Sequence, residues 1–317
     1  MNEFEIIENF FLPISRDRSD VLCSIGDDAA VVSLEQGKYA ISTDTLVEGV
    51  HFPSNICPED LGYRAASVTL SDLAAMGAAP KFATMAITIP EAKMSWLESF
   101  SHGLGDSLTA NGCLLVGGDT TKGPLVITLQ VFGEILGDPI KRSGARVGDL
   151  VGVSGFLGDA RAALDFIGGT EQGREIDFFL SRYLRPIPRI QFGLQAQDYL
   201  NAAIDVSDGL LLDLEHVAKS SGVSIELDMA KLPISASLDS FYPRTKAIEY
   251  ASTGGDDYEL AFTTSVDKID LVKTVGENLD LKISVIGKVN KGQGVVCKDS
   301  YGVEMIPEGS MKGYTHF

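Results

Sequence analysis

The chain has 317 residues, with 26 Lys and Arg against 44 Asp and Glu, a formal net charge of −18. With 44% hydrophobic and 22% charged residues it has the apolar content to build real cores, which excludes a disordered chain. The acidic balance excludes a protein that works by gripping nucleic acid and disfavours an anionic membrane surface, because both need a basic face.

At roughly 100–200 residues per domain, the length predicts about two domains. The opening MNEFEIIENFF is acidic and lacks the basic-then-apolar order of a secretory signal. No apolar run approaches the ~20 residues of a membrane span. Cys23, Cys57, Cys113 and Cys297 form no C-x-x-C pair, and the four histidines form no H-E-x-x-H. The expectation is a cytoplasmic chain with reduced thiols.

In chain order, the pattern predicts a strand over 38–42, a helix over 59–76, a strand over 81–89 and a helix over 92–111. Strands follow over 114–116, 125–135 and 149–153, then helices over 159–166, 188–199 and 209–220. The remainder reads as strands over 224–228 and 259–263, a helix over 266–279 and a strand over 282–289. The strands are rich in Val, Ile and Phe and bounded by Gly, Pro or Asp. In the first helix, Pro58 suits the start, Leu61, Ala65, Val68 and Leu73 keep a near-helical period, and Gly77 is the stop. The Gly- and basic-rich segment 137–148 is the best boundary, giving domains of 1–138 and 139–317. Strands that follow one another without regular β-α alternation predict an α+β fold.

Many acids sit singly in helices and read as surface. Others fall where a predicted strand ends in Gly, Ser or Thr: Asp27 and Asp28, Asp44, Asp72, Asp119, Asp205 and Asp208, then Asp256 and Asp257. Glycine allows close backbone approach, and Asp, Ser and Thr supply hard oxygens of the kind Mg²⁺ takes alongside substrate phosphates. Any one such pair is an ordinary turn or cap. Taken alone, the six sites leave two readings open, a set of turns or a metal–phosphate site. No G-x-x-x-x-G-K-[ST] occurs, nor a strand–G-x-G-x-x-G–helix unit, nor the kinase H-R-D and D-F-G pair. A nucleotide would therefore be held through metal ions and backbone amides.

The series GDDAAVV (26–32), STDTLVEGVHF (42–52), SDLAAMGA (71–78), GGDTTKG (117–123), DVSDGL (205–210) and GGDDYEL (254–260), closing on GYTHF (313–317), resembles the thiamine-monophosphate kinase family. The resemblance runs in order along nearly the whole chain. It implies a two-domain PurM-like α+β fold, like that of aminoimidazole-ribotide synthetase, with N-terminal-domain strands pairing into a shared barrel in a homodimer. The second domain would close an ATP and Mg²⁺ cleft. It implies transfer of the γ-phosphoryl of ATP to thiamine monophosphate, giving thiamine diphosphate, the last step of its biosynthesis. Carried onto this chain, the metal positions are Asp27, Ser42, Thr43, Asp44, Asp72, Asp119, Asp205 and Asp208. Nucleotide contacts are Gly118, Asp119, Arg142 and Ser207; substrate contacts are His51, Glu259 and the terminal Phe317 or Tyr314. Asp44, Asp72 and Asp119 are the candidates for the central metals. The family's aromatic residue beside the adenine is replaced by Ser101, leaving His102 or Phe100 as substitutes.

The rivals are a sibling PurM-like enzyme (selenophosphate synthetase, aminoimidazole-ribotide synthetase or a hydrogenase-maturation dehydratase) and a non-catalytic cation-binding module. Cys23 lacks the Lys and Gly context of the first, and the chain does not end in the reactive cysteine of the maturation enzyme. No EF-type calcium loop supports the module.

Overall fold

The computed structural model describes residues 3–15, 18–25, 30–34, 36–299 and 301–305. It divides into two compact units, Met1–Leu73 with Ala78–Leu136, and Ala74–Gly77 with Gly137–Phe317. No helix among the described residues is long and apolar enough to cross a membrane.

The first unit holds α1 (Glu3–Ile6), a small ladder of β1 (Val21–Cys23) and β2 (Val31–Val32), and the helices α2 (Pro58–Ala75) and α3 (Met94–Ala110). Its main sheet joins β3 (Lys38–Val47), β4 (Ala79–Ile89), β5 (Leu114–Lys122) and β6 (Val126–Ile135) in the order β3-β6-β4-β5. β6 is antiparallel to both β3 and β4, and β4 is parallel to β5. Alternation along β6 buries Ile127, Leu129 and Val131 and leaves Thr128 and Gln130 half-buried on the other face. α2 lies on the buried face, where a Cβ at Gly133 would meet the Leu73 side chain within 3.0 Å. Helix α2 begins at Pro58 with Glu59 and Asp60 in its first turn, as the N-terminal dipole favours. It ends in a Schellman turn: Ala78 N–H donates to the Leu73 carbonyl at 2.9 Å and Gly77, at φ 64°, to that of Ala74 at 3.1 Å.

The second unit is built on a seven-stranded sheet. Its strands are β7 (Leu150–Ser154), β8 (Ala202–Asp205), β9 (Ser224–Asp228), β10 (Leu260–Thr264), β11 (Ile283–Asn290), β12 (Gly294–Lys298) and β13 (Glu304–Met305), in the order β13-β12-β9-β11-β7-β10-β8. Around it run α4 (Asp159–Ala163), α5 (Arg174–Leu184), α6 (Ile190–Ala196), α7 (Leu210–Ser221), α8 (Ala236–Phe241), α9 (Arg244–Thr253) and α10 (Ile269–Asn278). Val151, Val153, Ile204, Leu214, Val217, Ile225 and Ile286 form the core between sheet and α7. A second cluster, with Phe179, Tyr183, Leu238 and Tyr250, ties α5, α8 and α9 together.

The α+β expectation is met, and the differences are local. Ser42 to Thr45 and Gly117 to Thr120, read as strand ends, lie inside β3 and β5. Both are edge strands with one solvent-facing side, so polar residues continue the strand instead of stopping it. α5, α8, α9, β8 and β12 were not expected from the sequence. Helix α5 does carry the period, with Ile176, Phe179 and Tyr183 buried, but it opens on Arg-Glu after a polar Gly-rich stretch.

Candidate functional site

Ser42, Asp44 and Leu46 share one face of β3, the face that meets α2. The Ser42 hydroxyl donates to the Asp72 carboxylate on that helix. Burial, and then the negative charge of Asp72, pushes the Asp44 carboxyl up to about 6, with a hydrogen bond from Thr69 working the other way. Two carboxylates and a hydroxyl are thus gathered where ionising both acids is costly. A divalent cation with a preference for hard oxygen would relieve that cost, so this donor set fits Mg²⁺. Thr69 belongs to the cluster but gave no signal in the sequence, where it reads as one more residue of a helix.

Thr43 and Asp119 are placed differently. The register aligns Thr45, Thr128, Ala86 and Asp119 in one row, and Asp44, Leu129, Met85 and Gly118 in the next. Successive rows face opposite sides, so Asp119 is exposed on the face away from Asp44. β3 and β5 are also opposite edges, three strand spacings or about 14 Å apart. Within the unit the structure brings Ser42, Asp44 and Asp72 together and does not bring Asp119 to them. Thr43 shares the exposed face and accepts from Gln130 Nε2 at 3.3 Å. Gly118 is set by packing: a Cβ there would lie 1.9 Å from the Met85 carbonyl oxygen.

In the second unit, Asp205 closes β8 and is buried, with Ser207 and Asp208 half-buried in the loop before α7. A third carboxylate, Asp213, comes from the first turns of α7. Its Oδ2 accepts the N–H groups of Ser207, Asp208 and Gly209 at 3.1, 3.2 and 3.1 Å. Burial, with the charges of Asp205 and Asp208, pushes the Asp213 carboxyl up to about 8. Sequence reading missed Asp213, although an acid four residues after a glycine at a helix start was a usable sign. Arg142 stands in a 3₁₀ turn (Arg142–Gly144) whose carbonyl at Arg142 accepts from Ser221 at 2.9 Å, at the C-terminal end of α7. Ser207 lies before the other end of that 12-residue helix, roughly 18 Å away along its axis.

Glu259 is neither on an exposed strand face nor open to solvent; it is fully buried. Arg189 Nε and Ser154 Oγ each donate to Oε2 at 2.6 Å, and Arg182 Nη2 donates to Oε1 at 2.8 Å. Burial works to raise its pKa, but the Arg189 and Arg182 charges with the Ser154 hydroxyl outweigh it and hold the carboxyl below its usual range. The two arginines, 70 and 77 residues upstream, were not singled out by sequence reading.

His51 Nδ1 accepts the Val47 N–H at 3.0 Å, which assigns the ring proton to Nε2. Phe100 is fully buried and stacks on Trp96 at 5.0 Å, which removes it as a base-stacking surface. Ser101 is buried and donates to the Glu98 carbonyl, while His102 is exposed beside Glu59 and Asp106. Asp27, Tyr314 and Phe317 lie outside the described residues.

Two α+β units, each with acids at the edge of a sheet, match the models of AIR synthase related proteins. The N-terminal domain model fits residues 26–135 and the C-terminal domain model fits residues 150–300. Within that class the similarity is specific. Thiamine-monophosphate kinase of Escherichia coli K12 is 40% identical over 99% of this chain and 98% of its own length. The crystal structure of thiamine-monophosphate kinase from Stenotrophomonas maltophilia superposes with a TM-score of 0.87 at 39% identity, covering 92% of this chain and 95% of that one. A structure described as AaThiL complexed with AMPPCP and TMP gives 0.78 at 37% identity, covering 93% and 92%. The chain belongs to the thiamine-monophosphate kinase family.

Proposed function

We propose that this chain transfers the γ-phosphoryl group of ATP directly to thiamine monophosphate, giving thiamine diphosphate and ADP, the last step of thiamine diphosphate synthesis in the cytoplasm. The observation that carries the reading is 40% identity along the full length of an E. coli thiamine-monophosphate kinase. The acceptor is a phosphate monoester whose second ionisation lies near pH ~6, so it arrives already nucleophilic and no protein base is assigned. The obstacle is bringing two anions into line. Mg²⁺, when bound, supplies bridging and charge neutralisation for both phosphate groups.

Asp44, Asp72 and Ser42 would hold cations from the first unit, joined by Thr43 and by Asp27 of the GDDAAVV segment. Asp205 and Asp208 would do so from the second. Asp119 would hold a cation and, with Gly118, Arg142 and Ser207, would contact the nucleotide. His51 would contact thiamine monophosphate, with Phe317 or Tyr314 against its rings. Glu259, whose oxygens are enclosed, would act on the substrate site through Arg182 and Arg189. The domains would run over 1–138 and 139–317, and the working form would be a homodimer.

Incubation with ATP, Mg²⁺ and thiamine monophosphate, followed by chromatography, should yield thiamine diphosphate in proportion to ADP and none in excess chelator. Absence of product with Mg²⁺ present would overturn the reading in favour of a sibling enzyme. Calorimetry excludes the cation module if ATP binds only with Mg²⁺.

A further inference from the structure

The loop before α7 presents three successive N–H groups, of Ser207, Asp208 and Gly209, to a single point. Convergent amides at a helix start are a common seat for phosphate. Here the seat is filled from within, since Asp213 Oδ2 takes all three bonds and Asp213 is only 2% exposed. The other side of the loop is fixed as well. Asp256 N–H donates to the Ser207 carbonyl at 2.9 Å, Tyr258 N–H to that of Val206 at 2.9 Å, and Val206 N–H to that of Glu259 at 2.8 Å. Asp256 and Tyr258 make these bonds with left-handed backbones, at φ 68° and 51°. That conformation is strained for a non-glycine residue and persists only where the surrounding structure holds it. With those amides engaged, what the loop can offer a ligand is the side chains of Ser207 and Asp208, beside Asp205.

We propose that Asp213 is a positioning residue for phosphoryl transfer. It stands in for a phosphate in the amide nest of residues 207–209, so that the loop meets the nucleotide through its side chains and a divalent cation. The inference rests on the kinase reading above, and its ligand is the magnesium complex of a nucleoside triphosphate.

The test uses the full chain as wild type, Asp213→Ala, Asp213→Asn and the core control Leu214→Ala. Amide hydrogen exchange of residues 207–209 is measured without metal, and binding of a non-hydrolysable ATP analogue is measured by calorimetry with and without Mg²⁺. In Asp213→Ala, exchange should quicken and analogue affinity fall by about tenfold or more each, since three amides lose their one shared acceptor oxygen. Asp213→Asn keeps the shape and an acceptor oxygen, and should lie between wild type and Asp213→Ala in both measurements. Leu214→Ala should melt lower yet keep its analogue affinity within about twofold, which a merely structural role for Asp213 would not predict. Quickened exchange with wild-type affinity, in either Asp213 variant, overturns the positioning role while leaving the kinase reading intact. Equal loss of affinity in Leu214→Ala overturns it too. Wild type that binds no analogue with Mg²⁺ overturns the kinase reading and this role with it.

Discussion

Replacing Glu259 by Gln tests what its buried carboxylate does. The carboxylate is the shared acceptor of Arg182, Arg189 and Ser154, and it is fully buried. Glutamine keeps the volume but turns one acceptor oxygen into an amide donor facing an arginine. The arginine side chains are only 14% and 16% exposed, so their charges would remain largely desolvated without their counter-ion. Breaking a buried ion pair from one side costs about 3–5 kcal/mol. At about 2–4 °C per kcal/mol for a unit of this size, the melting temperature should fall by roughly 6–20 °C. The pH dependence has a definite sign. A carboxyl held below its usual value adds stability above the unfolded pKa of 4.5 and loses it as pH falls through the folded value. The deficit of Glu259→Gln should therefore be full at pH 7 and shrink below about pH 4.5. Calorimetric melting from below to well above the unfolded value of 4.5, with the KM for thiamine monophosphate measured well below the transition, separates the roles. Melting within about 2 °C of wild type at pH 7 would refute the arginine-cage reasoning.

Further outcomes are equally specific. In chelator, Asp44→Asn should melt above wild type at pH 8, by at most about 3 kcal/mol, since a carboxyl raised from 3.8 to about 6 penalises the fold once ionised. That advantage should fade as pH drops through 6 toward 4, and kinase turnover should be lost; an advantage independent of pH would contradict a carboxyl raised by burial and then by the Asp72 charge. Asp119→Asn should lose about 100-fold or more in turnover with an unchanged circular dichroism spectrum, and near-normal turnover would remove Asp119 from the site. Gly118→Ala places a Cβ 1.9 Å from the Met85 carbonyl and should cost about 2 kcal/mol or more in urea unfolding; a wild-type midpoint would show that β4 and β5 can part there without penalty.

How far the sequence went depends on the range of the interactions involved. α2 was legible because Pro58 and Gly77, its start and stop signals, act within one turn. The acidic motifs were legible as composition, but their faces were not. Asp44 and Asp119 read alike in the chain, and only the pairing of both strands into one sheet assigns them to opposite sides. Glu259 follows Gly-Gly-Asp-Asp-Tyr and opens the strand predicted over 259–263, where a charge reads as a substrate contact or an exposed strand face. Its burial depends on arginines supplied by α5 and by the residue before α6, and no local pattern encodes that. Asp213 is the intermediate case: the partner amides are four to six residues away, close enough for a local rule, yet an acid in the first turn of a helix is usually explained by the dipole alone.

The buried acids of this chain also show what separates a cation site from a structural acid. Burial disfavours ionisation of Asp44, Asp213, Asp257 and Glu259 alike. Glu259 is shifted down because the chain supplies two guanidinium groups, and it has no use for a metal. Asp257 is pushed well above its usual value, yet at 1% exposure it accepts the Gly158 N–H at 2.7 Å and lies where a hydrated ion cannot reach. A raised pKa alone would therefore have named Asp257 as a ligand. Asp44 with Asp72 combines repulsion with a half-buried member open toward solvent, while Asp205 and the half-buried Asp208 both bear on the buried Asp213. Repulsion gives a cation something to relieve, and partial exposure gives it a way in. Asp44 with Asp72 meets both conditions, whereas Asp119, exposed on the opposite face of the sheet, does not.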